Sequence, residues 1–201
     1  MPTDELIAAT VFALIGCFTP GPNNTIATVT GANFGWRAVL PHIAGVPVGF
    51  ASMLLAAASG VAALLIASPI AMTTLQWAGV AYLLWLSWAL ARARELAPDA
   101  VGGPFTLPLN FTQSALFQYF NPKAWMLAVA TAGAYFTGAR PLQRGVIVSL
   151  VFAAAAVASL VVWTWLGASL RAWLVHGTRL RRFNQTMGAI LAATAVWMAP
   201  R

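Results

Sequence analysis

The sequence predicts an all-α integral membrane protein with six transmembrane helices, built as two inverted three-helix repeats whose first and fourth helices are broken at the midplane. Of 201 residues, 60% are apolar and 7% are charged, whereas a soluble domain carries about 25% charged residues to meet water. Long uncharged runs reach the roughly 20 residues that cross a hydrocarbon core. Two of the predicted helices contain proline-centred breaks at related positions, as in membrane proteins with internal repeats.

Four of the six predicted helices are uninterrupted. Residues 38–91 contain no Asp, Glu, Lys or Arg, and this run is long enough for the second and third helices, divided near Ser68 and Pro69. Residues 145–170 are also uncharged and form the fifth helix. Residues 184–199 make a shorter segment, which forms the sixth helix if flanking residues extend it.

The first and fourth predicted helices are interrupted by proline. They run over about residues 5–34 and 110–136. Because proline lacks an N–H donor and clashes with the preceding turn, each of these helices is expected to split. In the fourth helix Asn121 is a good N-cap and Pro122 suits the first helical position. In the first helix we expect Thr19 and Pro20 to take these two roles.

The two breaks are related by an internal repeat. Phe18-Thr19-Pro20 recurs as Phe120-Asn121-Pro122, 102 residues later, and at the same offset Gly31-Ala32 recurs as Gly133-Ala134. An odd number of helices in each repeat inverts the second repeat relative to the first. The repeats are predicted to occupy residues 1–96 and 105–201 of a single transmembrane domain, residues 1–201.

Basic loop residues predict the orientation. With the N-terminus outside, the inner loops hold seven arginines, whereas the opposite orientation places three there. Because basic residues accumulate on the cytoplasmic side, both termini are expected outside. The net charge of +7 comes mainly from these short basic segments, so we expect contact with membrane lipid head groups and not with nucleic acid.

The two breaks form the predicted binding site. Irregular backbone survives in a bilayer where protein or a water-filled cavity satisfies it, and a half-helix N-terminus attracts anions such as a carboxylate. We therefore expect a small substrate to bind these residues: Thr19, Pro20, Gly21, Pro22, Asn23, Asn24, Asn121, Pro122 and Lys123. Carbonyls freed near Phe18 and Phe120, with Asn23 and Asn24, are expected to bind an ammonium group. A pair of structural proline kinks is the alternative interpretation.

Two side chains are candidates for proton coupling. Lys123 is the only charged residue between Asp99 and Arg140, and an ionisable group at this depth indicates a functional role. It can bind a carboxylate or change its protonation state. Alternatively, its ammonium reaches a polar edge or pairs with carbonyls of the broken first helix. His42, near the start of the second helix, can relay protons or cap the helix at the membrane interface.

Few residues are left for other chemistry. Cys17 is the only cysteine, so an intramolecular disulfide is excluded, and neither a cysteine metal cluster nor a thiol electron carrier is expected. The four acidic residues lie in the N-terminal segment and the third loop, which leaves no carboxylate pair inside the membrane. We therefore expect no catalytic residue, no metal and no cofactor. Gln118 and Tyr119, just before the second break, are further candidates for lining a cavity.

Two sequence patterns resemble the lysine exporter (LysE/RhtB) family of amino-acid exporters. They are TPGPNN followed by GANFGWRAVLPHIAGVPVG, within residues 19–49, and FQYFNPKAW, residues 117–125. The resemblance implies a multi-pass protein of the bacterial inner membrane that exports amino acids, driven by the proton gradient. It marks Pro20, Gly21, Pro22 and Asn23 in the first repeat, and Asn121, Pro122 and Lys123 in the second.

One departure from this family bears on the substrate. Members that export basic amino acids tend to carry an aspartate in the second helix, where this chain has Gly45-Val46-Pro47. A cationic side chain would need such a counter-charge in a low-dielectric path, so export of neutral amino acids or related small zwitterionic metabolites is predicted. Proton coupling then depends on Lys123, His42 or the substrate. The alternative is a membrane enzyme or assembly factor without transport activity on the same scaffold, and a homodimer is left open.

Overall fold

A computed structural model describes residues 1–60, 68–92, 107–136, 139–174, 176 and 178–199. These residues form helices and no β-strand. The helices are α1 Thr3–Phe18, α2 Pro22–Phe34, α3 Trp36–Ala58, α4 Pro69–Arg92, α5 Phe111–Phe120, α6 Pro122–Tyr135, α7 Pro141–Leu174 and α8 Arg179–Trp197.

Both predicted breaks are present. The first separates α1 from α2, whose axes are bent by 53°, and the second separates α5 from α6 at Asn121. The predicted division between the second and third helices lies at the start of α4, Pro69. Residues 61–67 lie outside the described part of the chain.

Length and composition identify two helices that can cross a membrane. They are α3, with 23 residues, and α7, with 34 residues. If the bent pair of α1 and α2 is counted as one span, there are three. The count of six spans stays a prediction.

The core is organised around α7, which packs against α1, α2 and α3, while α3 also packs on α5 and α4 on α8. Every residue of α2 from Asn24 to Ala32 is buried. Two glycines permit this enclosure. A Cβ added to Gly31 would lie 2.7 Å from the Thr164 carbonyl oxygen, and a Cβ added to Gly167 would lie 2.0 Å from the Thr28 carbonyl oxygen. The two helices therefore meet backbone to backbone. The first break is buried on its α2 side, at Gly21 and Pro22, whereas Thr19 and Pro20 are exposed.

The outer surface carries many large apolar side chains. Ile7, Leu150, Trp165 and Trp197 are each more than 60% exposed. A water-soluble protein rarely presents such a surface over several helices. Lipid is therefore the solvent that this surface fits.

Candidate functional site

The first break differs from its prediction. Gly21, and not Thr19, is the N-cap of α2, and Pro22, and not Pro20, is its first residue. The backbone N–H and the hydroxyl of Thr19 both donate to the Ile15 carbonyl, so Thr19 ends α1. The segment contains two prolines that are each suited to a helix start. Because Thr19 hydrogen-bonds to the preceding turn of α1, α2 starts at the second proline, Pro22.

The second break agrees with its prediction. Asn121 caps α6, its side-chain oxygen accepting from the Lys123 backbone N–H at 3.1 Å, and Pro122 is the first helical residue. The offset of 102 residues pairs Pro20 with Pro122. The helix α2 nevertheless starts at Pro22, two residues later than this pairing predicts.

The two breaks are in direct contact through Lys123. Its Nζ donates a hydrogen bond to the Thr19 carbonyl. Its side chain passes over Gly21, where an added Cβ would lie 2.9 Å from Lys123 Cδ and 3.1 Å from Nζ. The ammonium of Lys123, a residue in the first turn of α6, therefore lies next to Gly21, the N-cap of α2. Positive helix ends and a cation together favour an anion at this position.

A second polar link joins the breaks. Asn23 Nδ2 donates to Gln118 Oε1 at 2.9 Å, and Gln118 Nε2 donates to Asn23 Oδ1 at 3.1 Å. Gln118 also donates to the Ser114 carbonyl at 3.0 Å. These bonds tie the first turn of α2 to the last two turns of α5.

Side chains satisfy the carbonyls freed at the end of α1. The Cys17 carbonyl accepts from Asn24 Nδ2 at 2.9 Å and from Ser159 Oγ at 2.8 Å. The Thr19 carbonyl accepts from Asn24 Nδ2 at 3.0 Å as well as from Lys123. These carbonyls would otherwise be unpaired acceptors at the end of a helix. The end of α1 is thus a cluster of acceptors whose partners are side chains of α2, α6 and α7.

A cavity of about 50 Å³ lies between the breaks. Five residues of the predicted site line it, namely Gly21, Asn23, Asn24, Asn121 and Lys123. Thr19, Pro20, Pro22 and Pro122 shape the breaks and are not among its lining residues. Of the described residues around the cavity, Lys123 alone is charged, and Val46, Phe50 and Leu127 supply part of an apolar wall.

His42 is buried, and only 1% of it is exposed. It lies inside α3, with Nδ1 3.0 Å from Ser114 Oγ and Nε2 3.3 Å from the Asn23 carbonyl oxygen. A capping role at the membrane interface does not fit this position. Because a carbonyl only accepts, Nε2 carries a proton, and Nδ1 accepts from Ser114 when the ring is neutral or donates to it when the ring is charged. His42 is therefore linked to the cavity through Asn23.

Two hydroxyls of this network were not singled out from the sequence. Ser114 and Ser159 are both fully buried and hydrogen-bonded to the residues around the breaks. Ser114 could have been found, because it lies four residues before Gln118 on the same helix face. Ser159 stands in an uncharged run that carries no local signal. Tyr119, the other candidate beside Gln118, does not line this cavity. Its hydroxyl lies 2.8 Å from Ser52 Oγ.

The predicted absence of a metal site rests on the sequence alone. Within the described ranges, no three His, Cys, Asp or Glu side chains form a group that could hold a metal ion.

Broken helices beside a lysine-containing cavity in an apolar body are a recurring feature of membrane transporters. The chain belongs to the LysE type translocator family, whose model matches residues 14–200. A cysteine/O-acetylserine efflux protein of Klebsiella pneumoniae subsp. pneumoniae is 32% identical over 200 residues, covering 96% of this chain and 97% of the relative. The protein of the same description in Escherichia coli strain K12 is 28% identical over 197 residues, covering 98% and 96%. No solved structure matches the chain significantly.

The family membership confirms the resemblance seen in the two sequence patterns. Proteins of this family are amino-acid efflux transporters of the inner membrane, so this chain is an integral membrane transporter and not an enzyme. An enzyme or an assembly factor on the same scaffold is therefore not favoured.

Proposed function

We propose that this protein exports neutral amino acids or related small zwitterionic metabolites across the inner membrane, in exchange for protons. The observation that carries the proposal is the contact of the two helix breaks around Lys123, beside a cavity with polar and apolar walls. Cysteine and O-acetylserine, named for the relatives, are both small neutral zwitterions, so they are the first substrates to test.

The nine predicted site residues have three proposed roles. Lys123, the Asn121 cap and the starts of α2 and α6 bind the substrate carboxylate, because each offers a donor or a positive helix end. Asn23 and Asn24, with the carbonyl oxygens at the end of α1, bind the ammonium group. The remaining residues hold the helix ends open: Thr19, Pro20, Gly21, Pro22 and Pro122.

The cavity walls support a neutral substrate. A cationic side chain would need a carboxylate partner, and the described residues that line the cavity include none. The apolar wall of Val46, Phe50 and Leu127 suits a short uncharged side chain. A buried unpaired charge costs several kcal/mol, so basic amino acids would be excluded.

Proton coupling is assigned to Lys123 and His42. Lys123 faces the cavity, and His42 contacts it indirectly through the Asn23 carbonyl and the Asn23–Gln118 pair. A histidine that can hold one or two protons between Ser114 and Asn23 suits a proton relay. In this proposal protonation changes the hydrogen bonds that position α2 at the cavity.

The proposed architecture has six spans in two inverted repeats, residues 1–96 and 105–201, with both termini outside and the basic loop residues beside lipid head groups. One similarity between the halves supports it. Asn24 donates to the Cys17 carbonyl, and Trp125 Nε1 donates to the Tyr119 carbonyl at 2.8 Å. In each half, a side chain of the second half-helix donates a hydrogen bond to a carbonyl at the end of the first half-helix. A homodimer stays a prediction.

Transport by inside-out vesicles tests the proposal. We expect the proton gradient to stimulate uptake of radiolabelled O-acetyl-L-serine by wild type. Lys123→Met should lower the initial rate at least about tenfold, the value of one lost charge-assisted hydrogen bond. Gly133→Ala, on the same helix with open space around it, should leave the rate unchanged. Absence of uptake by wild type, or an unchanged rate in Lys123→Met, would show that the proposal is wrong.

A further inference from the structure

The Thr19 carbonyl is bound to an ammonium group that belongs to the protein. Lys123 Nζ donates to this oxygen, which also accepts from Asn24 at 3.0 Å. Thr19 ends α1, so its carbonyl lies at the negative end of a helix, where cations are stabilised. The same oxygen is the acceptor that a zwitterionic substrate would need for its own ammonium group.

We infer that Lys123 acts as a tethered substitute for the substrate ammonium and thereby makes the site selective for molecules that carry both an ammonium and a carboxylate. The inference rests on the proposed function. It makes the Lys123–Thr19 contact the feature that selects the class of substrate. The substrate ammonium displaces Nζ from the Thr19 carbonyl, and the substrate carboxylate then accepts from the displaced Nζ.

The charge balance explains the selectivity. A ligand with only an ammonium would place a second cation beside Lys123 without a counter-charge, and the two like charges would repel each other. A ligand with only a carboxylate would draw Nζ away and leave the Thr19 carbonyl with one donor fewer. A zwitterion supplies a new donor to Thr19 and an anion to Lys123. It alone supplies a new partner to each of the two groups whose hydrogen bond it breaks.

The geometry allows this exchange. The Lys123 side chain passes directly over the Gly21 backbone, because glycine has no side chain. A Cβ added to Gly21 would lie 2.9 Å from Lys123 Cδ. Lys123 also lines the cavity of about 50 Å³ between the breaks, so its ammonium can leave the Thr19 carbonyl and still face a bound ligand.

Equilibrium binding to the purified full-length protein in detergent tests the inference with three radiolabelled ligands. O-Acetyl-L-serine carries both charges, its methyl ester carries only the ammonium, and N,O-diacetyl-L-serine carries only the carboxylate. We expect wild type to bind the zwitterion at least about tenfold more tightly than either of the others. In Lys123→Met the Thr19 carbonyl keeps the Asn24 donor but loses the ammonium, so an external cation can take that place and binding of the methyl ester should rise at least about tenfold above its wild-type value.

Gly21→Ala provides a second variant that keeps the lysine charge. Gly21 has an extended backbone, with φ −179° and ψ −176°, so alanine fits the backbone while its Cβ pushes the lysine side chain away. The preference for the zwitterion over the methyl ester should fall severalfold. Gly133→Ala is the matched glycine control and should keep the wild-type preference, because nothing lies near its added Cβ.

The outcomes separate the two proposals. If wild type exports and prefers the zwitterion, but neither Lys123→Met nor Gly21→Ala gains affinity for the methyl ester, the tethered-ammonium inference alone is wrong. If wild type binds the methyl ester as tightly as the zwitterion, the inference is also wrong. If wild type neither binds nor exports the zwitterion, both proposals fail. Should Lys123→Met elute as aggregated protein, the comparison of Gly21→Ala with Gly133→Ala decides.

Discussion

Asn23 and Gln118, 95 residues apart in the chain, exchange two hydrogen bonds between their side-chain amides, at 2.9 and 3.1 Å. The pair connects the first turn of α2 to the end of α5, and only 1% of Gln118 is exposed. It therefore fixes the distance between the two helix breaks. This pair and the Lys123–Thr19 contact both join the breaks, and Asn23, Gln118 and Lys123 all line the cavity.

Gln118→Ala is expected to destabilise the protein by about 1–3 kcal/mol, because it leaves the Asn23 amide without its partner in a partly buried position. Unfolding in detergent followed by circular dichroism measures this change. The double variant with Asn23→Ala should cost less than the sum of the two single changes, since both remove the same interaction. Strict additivity of the two changes would mean that the amide pair contributes nothing.

His42→Gln is expected to uncouple transport from the proton gradient. Glutamine can still donate to the Asn23 carbonyl and accept from Ser114, but it cannot gain a proton. Exchange of O-acetyl-L-serine without a gradient should therefore continue, while the stimulation by the gradient is lost. Both rates are measured in the same vesicles. If the gradient stimulates His42→Gln as strongly as wild type, His42 does not relay protons.

Gly49→Ala is expected to disrupt the packing of α3 on α5. The added Cβ would lie 2.2 Å from the Ala115 carbonyl oxygen, and a backbone atom cannot rotate away as a side chain can. We expect a loss of about 1–3 kcal/mol in stability, seen as a lower yield of monodisperse protein and a lower melting temperature. Gly133→Ala, which meets no neighbouring atom, is the control. Equal behaviour of the two variants would show that α3 and α5 are not in close contact.

The sequence predicted the breaks because proline and asparagine act locally. Asn121 and Pro122 have the chemistry of a helix start, and they form one. The first break has two prolines with that chemistry, Pro20 and Pro22. The choice between them depends on the hydrogen bonds of Thr19 to Ile15, which local preference did not reveal.

Contacts across the chain were harder to predict. Asn23 and Gln118 lie on α2 and α5, which both pack on α3, with Gly49 of α3 against the Ala115 backbone of α5. Helix packing of this kind depends on the whole bundle and not on the residues that finally touch. For the same reason Ser159, a single hydroxyl in an apolar run, could not be assigned to the Cys17 carbonyl before the helices were placed.

Modification of Cys17 tests most directly whether the substrate binds between the breaks. Cys17 is the only cysteine of the chain, it is partly exposed, and it lines the cavity. With O-acetyl-L-serine at ten times its dissociation constant, its reaction with a maleimide should slow about tenfold, as mass action requires. A Cys17→Ala protein carrying Gly133→Cys should react at the same rate with and without the ligand. If Cys17 reacts at an unchanged rate while export is saturated, the substrate binds elsewhere.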